Sequence, residues 1–378
     1  MAQTARERPV ASGRSLAGRA STSSPAPDRL GLRAQRRRTV SWIIGLSALL
    51  LVSIVLGVGA GAVQISPVTV AKIIGHHLIG WPAEVTWTLP EGSIVWDVRM
   101  PRVVLGIFVG AGLAVCGVAL QAMVRNVLAD PYLLGINSGA SSGAAAAILF
   151  GFGAGFGQYA LPISAFLGAL VASFLVFFIA RSGGRVTSIR LLLAGVAVGY
   201  ALYAATSFLI FASGSAQGAR SVLFWLLGSL GLARWDGPLA VVVVVIVGTI
   251  ALLTIWGRRL DALAIGDETA HTLGISPERF RTVLLAVVAL AIGVLVSAAG
   301  SIGFVGLVVP HMARRAVGGV HAHVVPVAAL MGAILLVWAD LAARLLLQPQ
   351  EIPIGIVTSL VGAPFLLILI RRFQAESS

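Results

Sequence analysis

From Trp42 to the C-terminus, apolar stretches of about 20 residues recur, separated by Gly, Pro or charged punctuation. A segment of that length and character spans a bilayer as a helix, because only internal hydrogen bonding satisfies a backbone surrounded by lipid. With 58% of its 378 residues hydrophobic and 11% charged, the chain could not stay in solution as a soluble domain. The expectation is an all-α polytopic membrane protein of about ten spans in a single membrane domain. The apolar segments run over 41–64, 102–124, 132–150, 158–180, 190–212, 239–256, 282–299, 302–318, 324–346 and 353–370.

Charge supplies sides. Cytoplasmic loops accumulate Arg and Lys, and an even number of spans returns both termini to one side. With the N-terminus inside, 21 of the 27 basic residues fall on the cytoplasmic side and six on the other, namely Lys72, Arg99, Arg102, Arg220, Arg234 and Arg344. The net charge of +13 thus sits at membrane edges and not on a soluble surface that could read nucleic acid. Residues 1–40 are rich in Arg, Ser, Ala and Pro and are expected to be a disordered cytoplasmic extension. Its Arg36-Arg37-Arg38 is suited to anchoring the first span on anionic lipid. Residues 41–372 form the expected membrane domain, and 373–378 a short cytoplasmic tail. The first apolar run is longer than a signal-peptide core and reads as a retained span, although Ala60-Gly61-Ala62 has the small residues of a cleavage site. Cys116, the one cysteine, excludes an intrachain disulfide and reads as an inert core thiol.

Several chemistries are missing. A phosphate-gripping loop ends in Gly-Lys-Ser/Thr, yet the one lysine is Lys72, between Ala71 and Ile73. No zinc-ligand spacing occurs, and His76-His77, as neighbours in an outer loop, point in different directions. Proton-coupled carriers keep ionisable groups near the midplane, and the spans here hold almost none. The exception is Asp340 with Arg344, one turn apart near the outer end of a span and able to pair or to serve docking. A membrane-embedded enzyme would need a polar catalytic cluster, which is absent. Energy must come from a partner ATPase, or from the solute gradient as in a carrier or channel.

The cytoplasmic stretch 257–281 is the longest polar segment between spans and predicts two short helices. Leu263, Gly266, Ala270 and Leu273 follow one helical face while Asp267, Glu268 and His271 lie elsewhere. Gly274 should stop the first helix, and Ser276 with Pro277 should start the second. The residues alone leave open a solvated connector and a helix that seats in a partner's groove. Small-residue runs such as Gly110-Ala111-Gly112, Gly139-Ala140-Ser141-Ser142-Gly143 and Ala298-Ala299-Gly300 predict close helix crossings. Gly303, Gly306 and Pro310, and again Pro353, Gly355, Gly362 and Pro364, could instead break helices that line a pathway.

From about Val98 to Arg372 the chain resembles the iron-siderophore, haem and cobalamin permeases of bacterial ABC importers. The resemblance rests on Arg99-Met100-Pro101-Arg102, on Gln121 with Arg125-Asn126-Val127-Leu128-Ala129-Asp130-Pro131, and on Leu134-Gly135-Ile136-Asn137-Ser138-Gly139-Ala140. It continues through Leu191-Leu192-Leu193-Ala194-Gly195-Val196, Phe224-Trp225-Leu226-Leu227-Gly228-Ser229-Leu230-Gly231 and Gly303-Phe304-Val305-Gly306-Leu307-Val308-Val309-Pro310-His311. Glu351-Ile352-Pro353-Ile354-Gly355 and Gly362-Ala363-Pro364 complete it. Val127 departs from the family's usual proline, which relaxes the backbone of Asn126.

The resemblance implies a type II importer permease fold of ten helices per subunit, paired with a second copy or a paralogue. It implies two cytoplasmic ATPase subunits and an extracytoplasmic binding protein. ATP and magnesium would belong to the ATPase, and this chain would hold no cofactor and catalyse nothing. By position in the family's motifs, Asp261, Leu263, Gly266, Asp267, Glu268, Ala270, Leu273, Gly274 and Ile275 fall in the segment that couples to the ATPase. Arg99, Arg102 and Arg344 match arginines that meet carboxylates on the binding protein, Asp340 orienting Arg344. Thr187, Ser188 and Ile189 match the inner gate, and the fifth and tenth spans would line the pathway. His311 would belong to a packing motif and not to a metal site. A ferric siderophore is the implied cargo, with haem and cobalamin as alternatives.

Overall fold

The computed structural model describes residues 32–130, 132, 135–182 and 186–377. Helix α1 (Leu32–Gly59) crosses from a basic start, and a short helix α2 (Pro67–Ile79) follows. The Ser66 hydroxyl caps α2 by accepting from the Thr69 N–H, Pro67 opens it, and Gly80 ends it in the left-handed region. Helix α3 (Leu89–Ser93) opens with a Thr88–Glu91 capping box. It runs through a π-turn at Ile94–Arg99 into the central helix α4 (Met100–Val124). Then come α5 (Ile136–Phe150), α6 (Ala160–Arg181), α7 (Ser188–Ala212), the short α8 (Ala216–Leu226) and α9 (Gly237–Ile255). The short pair α10 (Gly257–Ile265) and α11 (Asp267–Thr272) precedes α12 (Pro277–Ala299), α13 (Val305–Val317), α14 (His321–Leu345) and α15 (Ile354–Ser377). Among the described residues there is no strand.

Among the described residues, seven helices are long and apolar enough to cross a membrane. The other three expected spans are helices too, but shorter: α5 has 15 residues, α13 has 13, and the apolar part of α15 covers Ile354–Leu369. The expected span at 302–318 is broken, because residues 300–304 are not helical and Phe304 adopts φ 69° before α13 begins. The expected disorder up to residue 40 is corrected, since α1 already starts at Leu32. Gln35 Nε2 donates to the Val317 carbonyl and an Arg38 N–H to the Arg315 carbonyl, so the end of α13 gives this basic stretch something to fold against. Residues 1–31 lie outside the described residues.

Helix α4 is the axis of the bundle, touching α9, α12, α13 and α14 along its buried length. Lipid tails are as apolar as leucine, so packing must draw these helices together, and glycine sets how near they come. A side chain on Gly110 would collide with the Gly332 carbonyl of α14, and one on Gly139 with the Gly168 carbonyl of α6. Both are crossings at backbone contact, as the small-residue runs predict.

Candidate functional site

At the end of the bundle where the basic loops gather, α10 and α11 stand against the long helices through two carboxylates. Asp261 accepts from the His321 backbone N–H at 2.9 Å and meets its Nδ1 at 2.6 Å, which ties α10 to the first residue of α14. Asp267 takes the Arg281 guanidinium in a fork at 2.6 and 3.0 Å. Arg281 is fully buried and its Nε also donates to the Met123 carbonyl at the end of α4. The guanidinium beside Asp267 holds its carboxyl below the usual carboxylate range. The short helices thus grip α4, α12 and α14 together.

The break between the short helices differs from expectation. Gly266, expected on a continuous face, adopts φ 156° and ends α10, while Gly274 ends α11. The helix that Pro277 opens is the span α12 itself, five residues earlier than expected. Leu263 and Ala270 are buried inward, whereas Ile265 (70% exposed) and Leu273 (64%) stand outward beside exposed Glu268 and His271. Ile275 is half-buried and Gly274 exposed. Ile265 was missed by face counting, because the turn at Gly266 rotates α11 relative to α10.

Of the three expected gate residues, Thr187 caps α7 by accepting from the Arg190 N–H, and Ser188 is buried with its hydroxyl on the Met123 carbonyl. Thr187 and Ile189 are both exposed, and Ile189 projects furthest as an apolar side chain, at 70%. Nearby, Asn126 Oδ1 accepts from the Leu128 N–H, a side-chain turn that holds the loop with Val127 in place of proline. Asp130 accepts from the Tyr132 N–H, and burial pushes its carboxyl up to about 6. The Tyr132 hydroxyl both donates to the Ile302 carbonyl and accepts from its N–H. The loop after α4 is therefore clamped to the broken segment before α13.

At the opposite end, two of the expected docking arginines, Arg99 and Arg344, turn inward. Arg99 is buried and donates to the carbonyls of Val58, Gly59 and Val63, satisfying the end of α1. Arg344 is buried as well and donates to Gly57, Ala60 and Asp340. The predicted Asp340–Arg344 pair exists, and Asp340 also accepts from Arg102 Nε at 2.9 Å. Arg102 in turn donates to both carboxylate oxygens of Glu351. Helix ends without water need such partners, and no helical spacing could have revealed that these guanidiniums supply them.

Helix α7 leaves one face bare. Ile189, Leu193, Val196, Tyr200, Tyr203, Ser207 and Phe211 recur every three to four residues and are all exposed. Leu360, Val361, Leu367 and Ile368 are exposed likewise on α15. These helices correspond to the fifth and tenth of the apolar segments expected from the sequence. His76 and His77 sit on α2 with each Nδ1 against a backbone carbonyl. Among the described residues no group of three or more His, Cys, Asp or Glu could hold a metal. His311 lies edge-on to Phe365, a packing contact between α13 and α15.

The sequence pattern of the FecCD transport family matches residues 49–372. The cobalamin import system permease of Halobacterium salinarum is 43% identical over 301 residues, 79% of each chain. The hemin transport system permease of Yersinia pestis is 40% identical over 299 residues, 77% of this chain and 88% of that one. Among solved structures, an inward-facing ABC transporter of the metal-chelate type aligns with a TM-score of 0.74 at 30% identity, over 87% of this chain and 98% of its own.

Proposed function

The chain belongs to the FecCD transport family and is the non-catalytic permease subunit of an ABC importer, and from that premise we propose that its cargo is an iron chelate, a ferric siderophore first. The basic end faces the cytoplasm, so the loaded binding protein approaches the end that carries Arg102 and Asp340. Two copies of the chain, or this chain and a paralogue, enclose the pathway with the bare faces of α7 and α15. Haem or cobalamin is the second reading, favoured by the relatives that carry those names.

The observation that carries the ATPase-driven importer mechanism is the double tie of α10 and α11. A partner ATPase that grips the exposed Ile265, Glu268 and Leu273 moves a unit bonded through Asp261 to α14 and through Asp267 and Arg281 to α12 and α4. Closure of the ATPases around ATP and magnesium thereby shifts helices on several sides of the axis, and the chelate leaves past Ile189. Arg99 and Arg344 stiffen the outer end, and Arg102, with the exposed Arg234, meets the binding protein.

The test is co-purification with the ATPase encoded beside it, then uptake into vesicles with and without ATP. Uptake that proceeds at full rate without ATP sinks the importer reading of this site.

A further inference from the structure

A cavity of about 740 Å³ opens at the end opposite the basic loops, walled by α8, the last turn of α14 and the segment that enters α15. That volume lies within the range of small-molecule sites. Gln217, Arg220, Ser221 and Phe224 line it from one face of α8, and Arg102, Asp340 and Glu351 line the facing wall. The charges do not cancel. Asp340 and Glu351 are already taken by Arg102 and Arg344. Arg220 is exposed and has no carboxylate or hydrogen-bond acceptor among the described residues.

One uncompensated guanidinium in a walled cleft attracts anions, because the low-dielectric walls focus its field. Its flat fork suits a carboxylate. Trp225, with Phe224, supplies an apolar surface beside the charge. We propose that this cavity is an entry site for a carboxylate-bearing ferric chelate, and that Arg220 selects such anionic cargo over neutral chelates. The inference rests on the importer reading and narrows its substrate class. A carboxylate on the binding protein is the rival partner, but a cleft of this size holds a whole small molecule where a protein side chain would fill only part.

Two measurements on the assembled complex decide it. Ser221→Cys places one reactive thiol in the cavity, since the native Cys116 is fully buried. Its labelling by sulfonatoethyl methanethiosulfonate, relative to the trimethylammonioethyl reagent and normalised to a free thiol, should favour the anion about tenfold. Adding Arg220→Gln should bring that ratio to about one. A ratio of one or less with Arg220 present, or one that Arg220→Gln leaves unchanged, overturns the inference, and this arm requires no transport.

In vesicles, Arg220→Gln should lower ATP-driven uptake of ferric citrate about tenfold and leave a neutral ferric trihydroxamate unaffected, with Arg220→Lys retaining most of the discrimination. Equal losses for both chelates, together with weaker binding-protein affinity, assign Arg220 to docking and overturn the proposal. Absence of ATP-driven uptake for either chelate counts against the iron-chelate reading, while the labelling ratio still decides the cavity.

Discussion

Helix α14 meets ionic partners at both ends, and the two ends use them differently. At Asp340 and Arg344 the charges are almost fully buried and interlocked with Arg102 and the carbonyls that end α1. At His321 the partner is Asp261, whose side chain is 30% exposed and which belongs to a separate short helix. A buried network fixes its helices, because loss of one member leaves uncompensated charge. A rim contact can be remade after movement. The Asp340 end is therefore suited to hold its helices and the basic end to let them move.

The sharpest way to break that contrast is Asp340→Ala, which strands Arg102 and Arg344 together. We expect a loss of about 3–5 kcal/mol, read as a large drop in thermal midpoint in detergent. Asp340→Asn keeps the shape and one acceptor and should lose less. If both variants melt like the parent, the Asp340 end is not a clamp. Next comes Asp267→Ala, which leaves buried Arg281 with the Met123 carbonyl alone and should cost about 1.5–3 kcal/mol. Because the Asp267 carboxyl is held below its ordinary value, its contribution is present above that value and fades as pH falls through the folded one. A melting series toward acid pH should show a steeper decline for the parent than for Asp267→Ala.

Much of this arrangement was legible in the residues, for identifiable reasons. Apolar length revealed the helices, because a bilayer enforces it. The Asp340–Arg344 pair follows from i,i+4 spacing, and the crossings at Gly110 and Gly139 from small side chains. What stayed hidden depends on contacts far apart in sequence. Arg102 meets Glu351 across 249 positions, and Arg99 reaches back 41 positions to the Val58 carbonyl. An arginine at a membrane edge reads as outward-facing until the unsatisfied helix end beside it is known. The break at Gly266 was likewise invisible, since a helical face and a glycine hinge share the same letters there.

At the basic end, Asp261→Ala removes the acceptor for the His321 N–H and ring. By analogy with the loss of a helix cap, the expected cost is about 1 kcal/mol. The transport effect should exceed the stability effect, with ATP hydrolysis retained and uptake per ATP reduced. Equal falls in hydrolysis and uptake would make Asp261 a purely structural cap and erase the proposed difference between the ends.

The smallest stability effect belongs to Glu351→Gln. Its side chain is 52% exposed, so its bond to Arg102 is screened by water and contributes about 0–1 kcal/mol. The same change removes a negative charge from the cavity wall and leaves Arg102 held by Asp340. The melting temperature should barely move, while the anionic labelling preference of Ser221→Cys should rise above that of the parent. A marked destabilisation would mean that Glu351 belongs to the buried clamp, and the line between holding network and charge-selecting wall would have to be drawn on its other side.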